Sequence, residues 1–323
     1  MALRLRLAMA GACLALLASV SAGSAAQWPE HTVRVVVPYG AGGVTDTMAR
    51  LTADRLGKIF KQTFIIEDKP GAGGALGVDY VVHSRQDGST ILFVGSTLFT
   101  VLPLVQEVGY VPLRDLVPVS ITGTNGMIFV VAKDAPYKSL SEFIRYARAN
   151  PGKITYSSGG TGTNNHLAMA YLAGKEGLKM VHVPFRGGQP ALQAVLSRSV
   201  DVHFGNSSDL IEPARGGSVR ALALSTPERM PQLPDVPTVA ETIPGFEYVA
   251  WNGYAVTGGV PPEVTRRLAE ALATVAHDQS VVKTFENLGI KSVGTTPEQA
   301  TASIRKDIPV YSQIVDMAGV RRK

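Results

Sequence analysis

The stretch Val33-Arg34-Val35-Val36-Val37-Pro38-Tyr39-Gly40-Ala41-Gly42-Gly43-Val44-Thr45-Asp46 decides how the rest of the chain is read. Four of its first five residues are β-branched valines, which suits a buried strand. A glycine-rich turn follows. Ala49, Ala53, Leu56 and Phe60 then recur at helical spacing. The unit is strand, turn, helix, with small residues where the backbone turns.

The same alternation continues downstream. Phe64-Ile65-Ile66 and Ile91-Leu92-Phe93-Val94 read as strands, and Leu140, Phe143, Ile144 and Ala147 as a helix ended by Asn150-Pro151-Gly152. Further strands are expected at 154–156, 180–183, 200–204 and 221–224. Val264, Leu268, Ala271, Leu272 and Val275 mark one late helix, and Ala300, Ile304, Ile308, Tyr311 and Val315 another. Strands alternating with helices predict an α/β protein with mainly parallel sheets. Two extended segments, 127–132 and 248–257, stand outside the alternation. They can carry the chain from one lobe to a second and back. The expected division is residues 27–126 plus 248–323 in lobe 1, and 127–247 in lobe 2.

Composition narrows the function classes. The 323 residues hold one cysteine, so neither an internal disulfide nor a cysteine-based zinc cluster is available. Arg4 and Arg6 precede an apolar stretch over residues 7–20, and Ser24-Ala25-Ala26 supplies small residues before Gln27. That is the three-part pattern of a cleaved secretory signal, expected to occupy residues 1–26. The apolar stretch falls short of the ~20 residues a membrane span needs. Cys13 lies inside it without the context of a lipidation site. Without Arg4 and Arg6 the 31 bases fall to 29 against 26 acids, a net charge of +3. No run of bases exceeds three, so nucleic acid is not an expected partner. The working protein is expected to be periplasmic, soluble and monomeric.

Two loops can hold an anion. Tyr39, Gly40, Ala41, Gly42, Gly43, Thr45 and Asp46 join the first strand to the first helix, whose start offers free N–H groups and a partial positive charge. No Gly-Lys-Ser/Thr follows, so this is not a P-loop. The plain alternative is a tight turn capped by Thr45 or Asp46. Ser157, Ser158, Gly159, Thr161 and Thr163 repeat the arrangement before a second helix, and Ser96, Thr97, Asn206 and Ser207 have similar placements after strands. Two such loops in separate lobes suggest one ligand in the crevice between them. Pro70-Gly71-Ala72-Gly73-Gly74-Ala75-Leu76-Gly77 fails the dinucleotide fingerprint at Leu76 and reads as a turn into a helix. His166 lies at the second loop, but neither a G-x-S-x-G elbow nor an H-E-x-x-H motif exists, so bracing the loop explains it better than catalysis. Arg186 is a candidate partner for a carboxylate. No cofactor is implied.

These residues carry a resemblance. Val37-Pro38 with Gly42-Gly43-x-x-Asp46-x-x-Ala49-Arg50, then Glu67-Asp68-Lys69-Pro70-Gly71-Ala72-Gly73-Gly74, then Ala149-Asn150-Pro151-Gly152-Lys153 stand in order. Ser157-Ser158-Gly159-x-x-Gly162-Thr163-x-x-His166-Leu167, His182-Val183-Pro184-Phe185-Arg186-Gly187 and Leu233-Pro234-Asp235-Val236-Pro237-Thr238 follow, with Glu241. In this the chain resembles the solute-binding proteins of tripartite tricarboxylate transporters, the Bug family. The resemblance implies a type II periplasmic binding protein, two α/β lobes closing on a small organic carboxylate for membrane transporter subunits. It puts a carboxylate at Tyr39 to Asp46 and the facing wall at Ser157 to Thr163, with Asn206 and Ser207 nearby. Tyr39-Gly40-Ala41 and Gly205-Asn206-Ser207-Ser208 depart from the family's usual residues. A receptor signalling to a membrane kinase, or an exported α/β hydrolase or lyase, are the rival readings.

Overall fold

A computed structural model of the chain describes residues 28–322. The expected signal segment lies outside the described residues. The strands are β1 Val33–Val37, β2 Phe64–Asp68, β3 Thr90–Gly95, β4 Leu116–Asn125, β5 Met127–Ala132, β6 Thr155–Ser158, β7 Val181–Pro184, β8 Val202–Asn206, β9 Val219–Leu224, β10 Ala250–Thr257 and β11 Ile290–Ser292. The longer helices are α1 Val44–Phe60, α2 Ala75–Val82, α3 Leu140–Ala149, α4 Asn164–Glu176, α5 Gly188–Leu196, α6 Ser207–Arg215, α7 Pro262–Ala276, α8 Gln279–Asn287 and α9 Pro297–Met317. Two short turns, Thr97–Thr100 and Leu102–Val105, follow β3.

The strands form two sheets, ordered β11-β4-β10-β3-β1-β2 and β7-β6-β8-β5-β9. Each is the centre of one α/β lobe. The run of valines in β1 is explained by covering on both faces. Val35 and Val37 pack with Met48, Ala53 and Leu56 of α1 and Leu268 and Leu272 of α7. Val36 faces the other way, toward Val78 and Val81 of α2. The second sheet is covered likewise, by Phe143 of α3 and Leu167 and Leu172 of α4 on one face, and by Leu192 of α5 and Leu210 of α6 on the other.

The sheets are mixed rather than mainly parallel. Only β1–β2 and β1–β3 in the first sheet, and β6–β7 and β6–β8 in the second, run parallel. The antiparallel pairs all involve β4, β5 or β10, the strands that enter or leave a lobe. The chain crosses between Asn125 and Met127 and returns between Tyr248 and Ala250. Buried Ser225 ties the two crossings: its Oγ accepts from the Met127 amide at 2.8 Å and donates to the Tyr248 carbonyl at 2.5 Å.

The C-terminal helix does not belong wholly to the first lobe. Ala300 and Ile304 of α9 pack in the first core. Tyr311, Ile314 and Val315 pack in the second, on α4. Pro309 lies between these two groups, inside the helix.

Candidate functional site

A cleft of about 540 Å³ opens at the strand ends between the lobes. Three helices begin at its wall: α1 through Val44 and Thr45, α4 through Thr163 and Asn164, and α6 through Asn206 and Ser208. Neither α1 nor α4 has a side chain capping its first amides. Those N–H groups have no partner within their helix, and each start carries a partial positive charge. The described residues that line the cleft include no Asp, Glu, Lys, Arg or His. The attraction for an anion therefore comes from backbone dipoles and hydroxyls.

At α1 the cap is Gly43, with extended backbone, and not Thr45 or Asp46 as the sequence suggested. Asp46 sits in the first turn, and its carboxylate reaches back to accept from the Gly42 amide at 2.8 Å. Gly42 has φ +82°, where glycine costs least. Arg50 lies 2.8 Å from the same carboxylate. Burial pushes the Asp46 carboxyl up, but Arg50 and the Gly42 amide together hold it below the ordinary aspartate value. Asp46 thus shapes the loop from behind. Gly40, Ala41, Gly42 and Gly43 form the loop itself and do not line the cleft, whereas Tyr39 and Thr45 do. Asp46→Ala is expected to release the Gly42 amide and destabilise the protein by about 1–3 kcal/mol, visible as a lower midpoint in a thermal melt.

The first-lobe floor is built at the end of β3. A Cβ placed on Gly95 would stand 3.1 Å from the Tyr39 hydroxyl and 3.6 Å from Asn252 Oδ1. The glycine leaves room for both polar groups. Burial pushes the Tyr39 phenol up, and a hydrogen bond with Thr97 partly offsets this. Ser96 and Thr97 also line the cleft. The loop at Pro70–Gly77 forms the mouth: Gly73 lines the cleft, and Gly77 lets α2 approach Pro38 so closely that a Cβ would meet it at 2.7 Å.

On the second lobe Thr161, Gly162, Thr163 and Asn206 reach the cleft, but several expected residues do not. Ser157 is fully buried, donating to the Ala191 carbonyl and paired with His203 Nδ1 at 3.1 Å. Ser158 is also buried, with Oγ 2.6 Å from His182 Nε2 and bonded to both polar atoms of the Gly160 backbone. Gly159 is packed against Gly187 and Gly188. His166 accepts from the Gly162 amide through Nδ1 at 3.1 Å and stacks on His182 with ring centres 3.9 Å apart. Burial, then the neighbouring His182, lowers His166 to about 4. It is a neutral loop brace. Ser207 donates to the Gly289 carbonyl at 3.1 Å, a bond across the lobes. Arg186 is exposed and lies off the cleft wall. Ser157 and Ser158 are strand-end side chains that point down into the lobe, so the loop rather than the strand supplies the wall there.

The cleft also uses residues the sequence did not single out: Asn125, Asn164, Asn252, Trp251 and the segment from Val101 to Gln106. Asn125-Gly126 and Asn252-Gly253 were readable as strand-end pairs of a small polar residue with glycine. The others became neighbours only through the fold.

The family described as “Tripartite tricarboxylate transporter family receptor” matches residues 48–320 through its sequence model. The chain belongs to this family. It is 33% identical over 313 residues to a protein of Pseudomonas sp. (strain P51) described as “UPF0065 protein in tcbD-tcbE intergenic region”, covering 96% of this chain and 93% of that one. Among solved structures, R. palustris Rpa4515 with adipate matches with a TM-score of 0.81 at 28% identity, covering 91% of this receptor and 99% of the other chain. MatC (Rpa3494) from Rhodopseudomonas palustris with bound malate matches with a TM-score of 0.77 at 29% identity, covering 89% and 100%. The two-lobed α/β fold is therefore that of a periplasmic solute-binding protein.

Proposed function

We propose that the protein is an extracytoplasmic receptor that holds a small organic carboxylate between its lobes and delivers it to a tripartite tricarboxylate-type membrane transporter. The observation that carries this is the meeting of three helix N-termini at a cleft lined by neutral groups. In partly buried geometry each can contribute up to about 2 kcal/mol toward an anion. Together they supply up to about 6 kcal/mol, most of the roughly 8 kcal/mol of micromolar binding, with the hydroxyls of the wall supplying the rest. Family membership supplies the transporter, and the structures solved with adipate and malate support a carboxylate ligand. The reading includes export through a cleaved signal at residues 1–26 and action as a monomer, since one chain forms the whole cleft.

Recognition by fixed donors makes a sharp prediction. Converting the bound carboxylate to a primary amide turns an acceptor into a donor that faces backbone N–H groups, leaving them unpaired at about 1–3 kcal/mol each. Calorimetry on acids and their amides is expected to show the acids binding at least about tenfold more tightly, a difference of 1.4 kcal/mol or more. Equal binding of acid and amide would remove the anion site. Arg186→Ala is expected to leave the affinity of the acid unchanged.

A further inference from the structure

The cleft contains five carboxamides, Gln106, Asn125, Asn164, Asn206 and Asn252. Three hold a protein partner already. Gln106 donates to the Ala72 carbonyl at 2.9 Å, Asn164 accepts from the Tyr248 hydroxyl at 3.0 Å, and Asn206 points its amide at Asp209. The side chains of Asn125 and Asn252 have no hydrogen-bond partner among the described residues, although both are half-buried. Both lie at the inner ends of strands, where Ala250 pairs with Asn125 in β4 and Asn252 pairs with Gly95 in β3. A carboxamide offers a donor and an acceptor, and closing a cleft over it without a partner is costly.

Beside them runs an apolar wall. Val101, Leu102, Val105 and Trp251 line the cleft. Val101, Leu102 and Trp251 are almost fully covered, so the little surface they keep is offered to whatever fills it. The Trp251 indole N–H is spent on Asp307 Oδ2 at 3.1 Å. Trp251 therefore presents apolar ring and no donor.

We infer that the ligand is a monocarboxylate with an apolar, ring-sized body and a second, uncharged hydrogen-bonding group, a hydroxyl above all, received by Asn125 and Asn252. The inference rests on the carboxylate reading of the cleft and adds the rest of the molecule. A hydroxyl can donate to a carboxamide oxygen and accept from a carboxamide N–H, so it satisfies both kinds of group. A second carboxylate would meet carboxamide oxygens as well as N–H groups, with no cationic side chain on the wall to offset its desolvation. The apolar wall replaces water around the body and favours a ring over a polyhydroxylated chain.

Benzoate, 4-hydroxybenzoate, terephthalate, adipate and 4-hydroxybenzamide are the probes, titrated by calorimetry into the full mature chain. The expected order places 4-hydroxybenzoate at least tenfold tighter than benzoate and terephthalate. Asn125→Leu and Asn252→Leu are each expected to erase the advantage of 4-hydroxybenzoate over benzoate by lowering 4-hydroxybenzoate affinity at least tenfold, with circular dichroism showing that the variants fold. Terephthalate or adipate binding more tightly than 4-hydroxybenzoate would overturn the inference and leave the carboxylate receptor intact. Loss of benzoate together with 4-hydroxybenzoate in folded asparagine variants would put those side chains on the carboxylate and overturn it too. Equal binding of 4-hydroxybenzamide and 4-hydroxybenzoate would instead remove the carboxylate reading on which the inference stands.

Discussion

A Gly95→Val protein is expected to fold and to bind its carboxylate about a hundredfold more weakly, a loss of about 2.7 kcal/mol. Valine suits the interior of a strand, and Gly95 does not occupy the left-handed region reserved for glycine. Its Cβ nevertheless falls 3.1 Å from the Tyr39 hydroxyl, and the two γ-methyls reach further into the same space. The tyrosine has to leave its bond with Thr97 and move into the cleft, or the methyls fill the floor themselves. Either outcome removes volume and a polar contact where Asn252 also converges. Gly95→Ala is expected to give a smaller loss. Adding Tyr39→Phe to Gly95→Ala then recovers part of it, because deleting the hydroxyl deletes the close contact. A double-mutant cycle by calorimetry reads this coupling. Wild-type affinity in a folded Gly95→Val protein would show that the β3 end is not part of the site.

The largest effect on stability is expected from acid. His166 and His182 are stacked face to face at 3.9 Å, 7° from parallel, and Tyr156 stacks on His182 at 4.9 Å. Both rings serve as braces: the His166 Nδ1 receives the Gly162 amide and His182 Nε2 meets Ser158 Oγ. His166 is lowered to about 4 by burial and by His182, and burial also lowers His182 and His203. An unfolded histidine titrates near 6.5. Between these values the unfolded chain takes up protons that the folded chain refuses. Stability therefore falls as pH drops from about 6.5 to about 4, and His166 contributes no further change below that. A displacement of this size corresponds to about 3 kcal/mol for His166 alone. Urea midpoints at pH 7, 5.5 and 4.5 should decline steeply in the wild type. His166→Gln keeps a side chain able to accept from Gly162 and removes the titration, so its decline should be shallower. Parallel curves for the two proteins would assign the acid sensitivity elsewhere.

The sequence exposed the parts of this molecule that depend on local pattern. Valines in succession announced a strand covered on both faces, and Gly42-Gly43 announced a helix start at the chain's first turn. β4 was missed because Pro118, Ser120, Thr122, Gly123 and Thr124 dilute its apolar signal. Its pairing along the whole length of β10 supplies what its composition lacks. Ser157, Ser158 and Ser207 looked like ligand donors because a serine at a strand end has the same spelling whether it turns outward or down. Only the three-dimensional neighbours, His203, His182 and Gly289, decide the direction. Asn125 and Asn252 are far apart in the chain, and a β10 laid between β3 and β4 brings them to one floor.

Helix α9 has a mechanical meaning. Its first half is anchored by Ala300 and Ile304 in one core and its second by Tyr311 and Val315 in the other. At Pro309 the backbone has no N–H to return to the carbonyl of Arg305, so the helix is weakest between its anchors. Any change in the angle between the lobes has to be taken up there as a bend. For lobes that change their angle, the strand crossings would be the pin of the joint and this helix a leaf spring beside it. The stiffness of that spring, set by one imino acid more than 50 residues from the nearest crossing, then enters the free energy with which the receptor holds and lets go of its cargo.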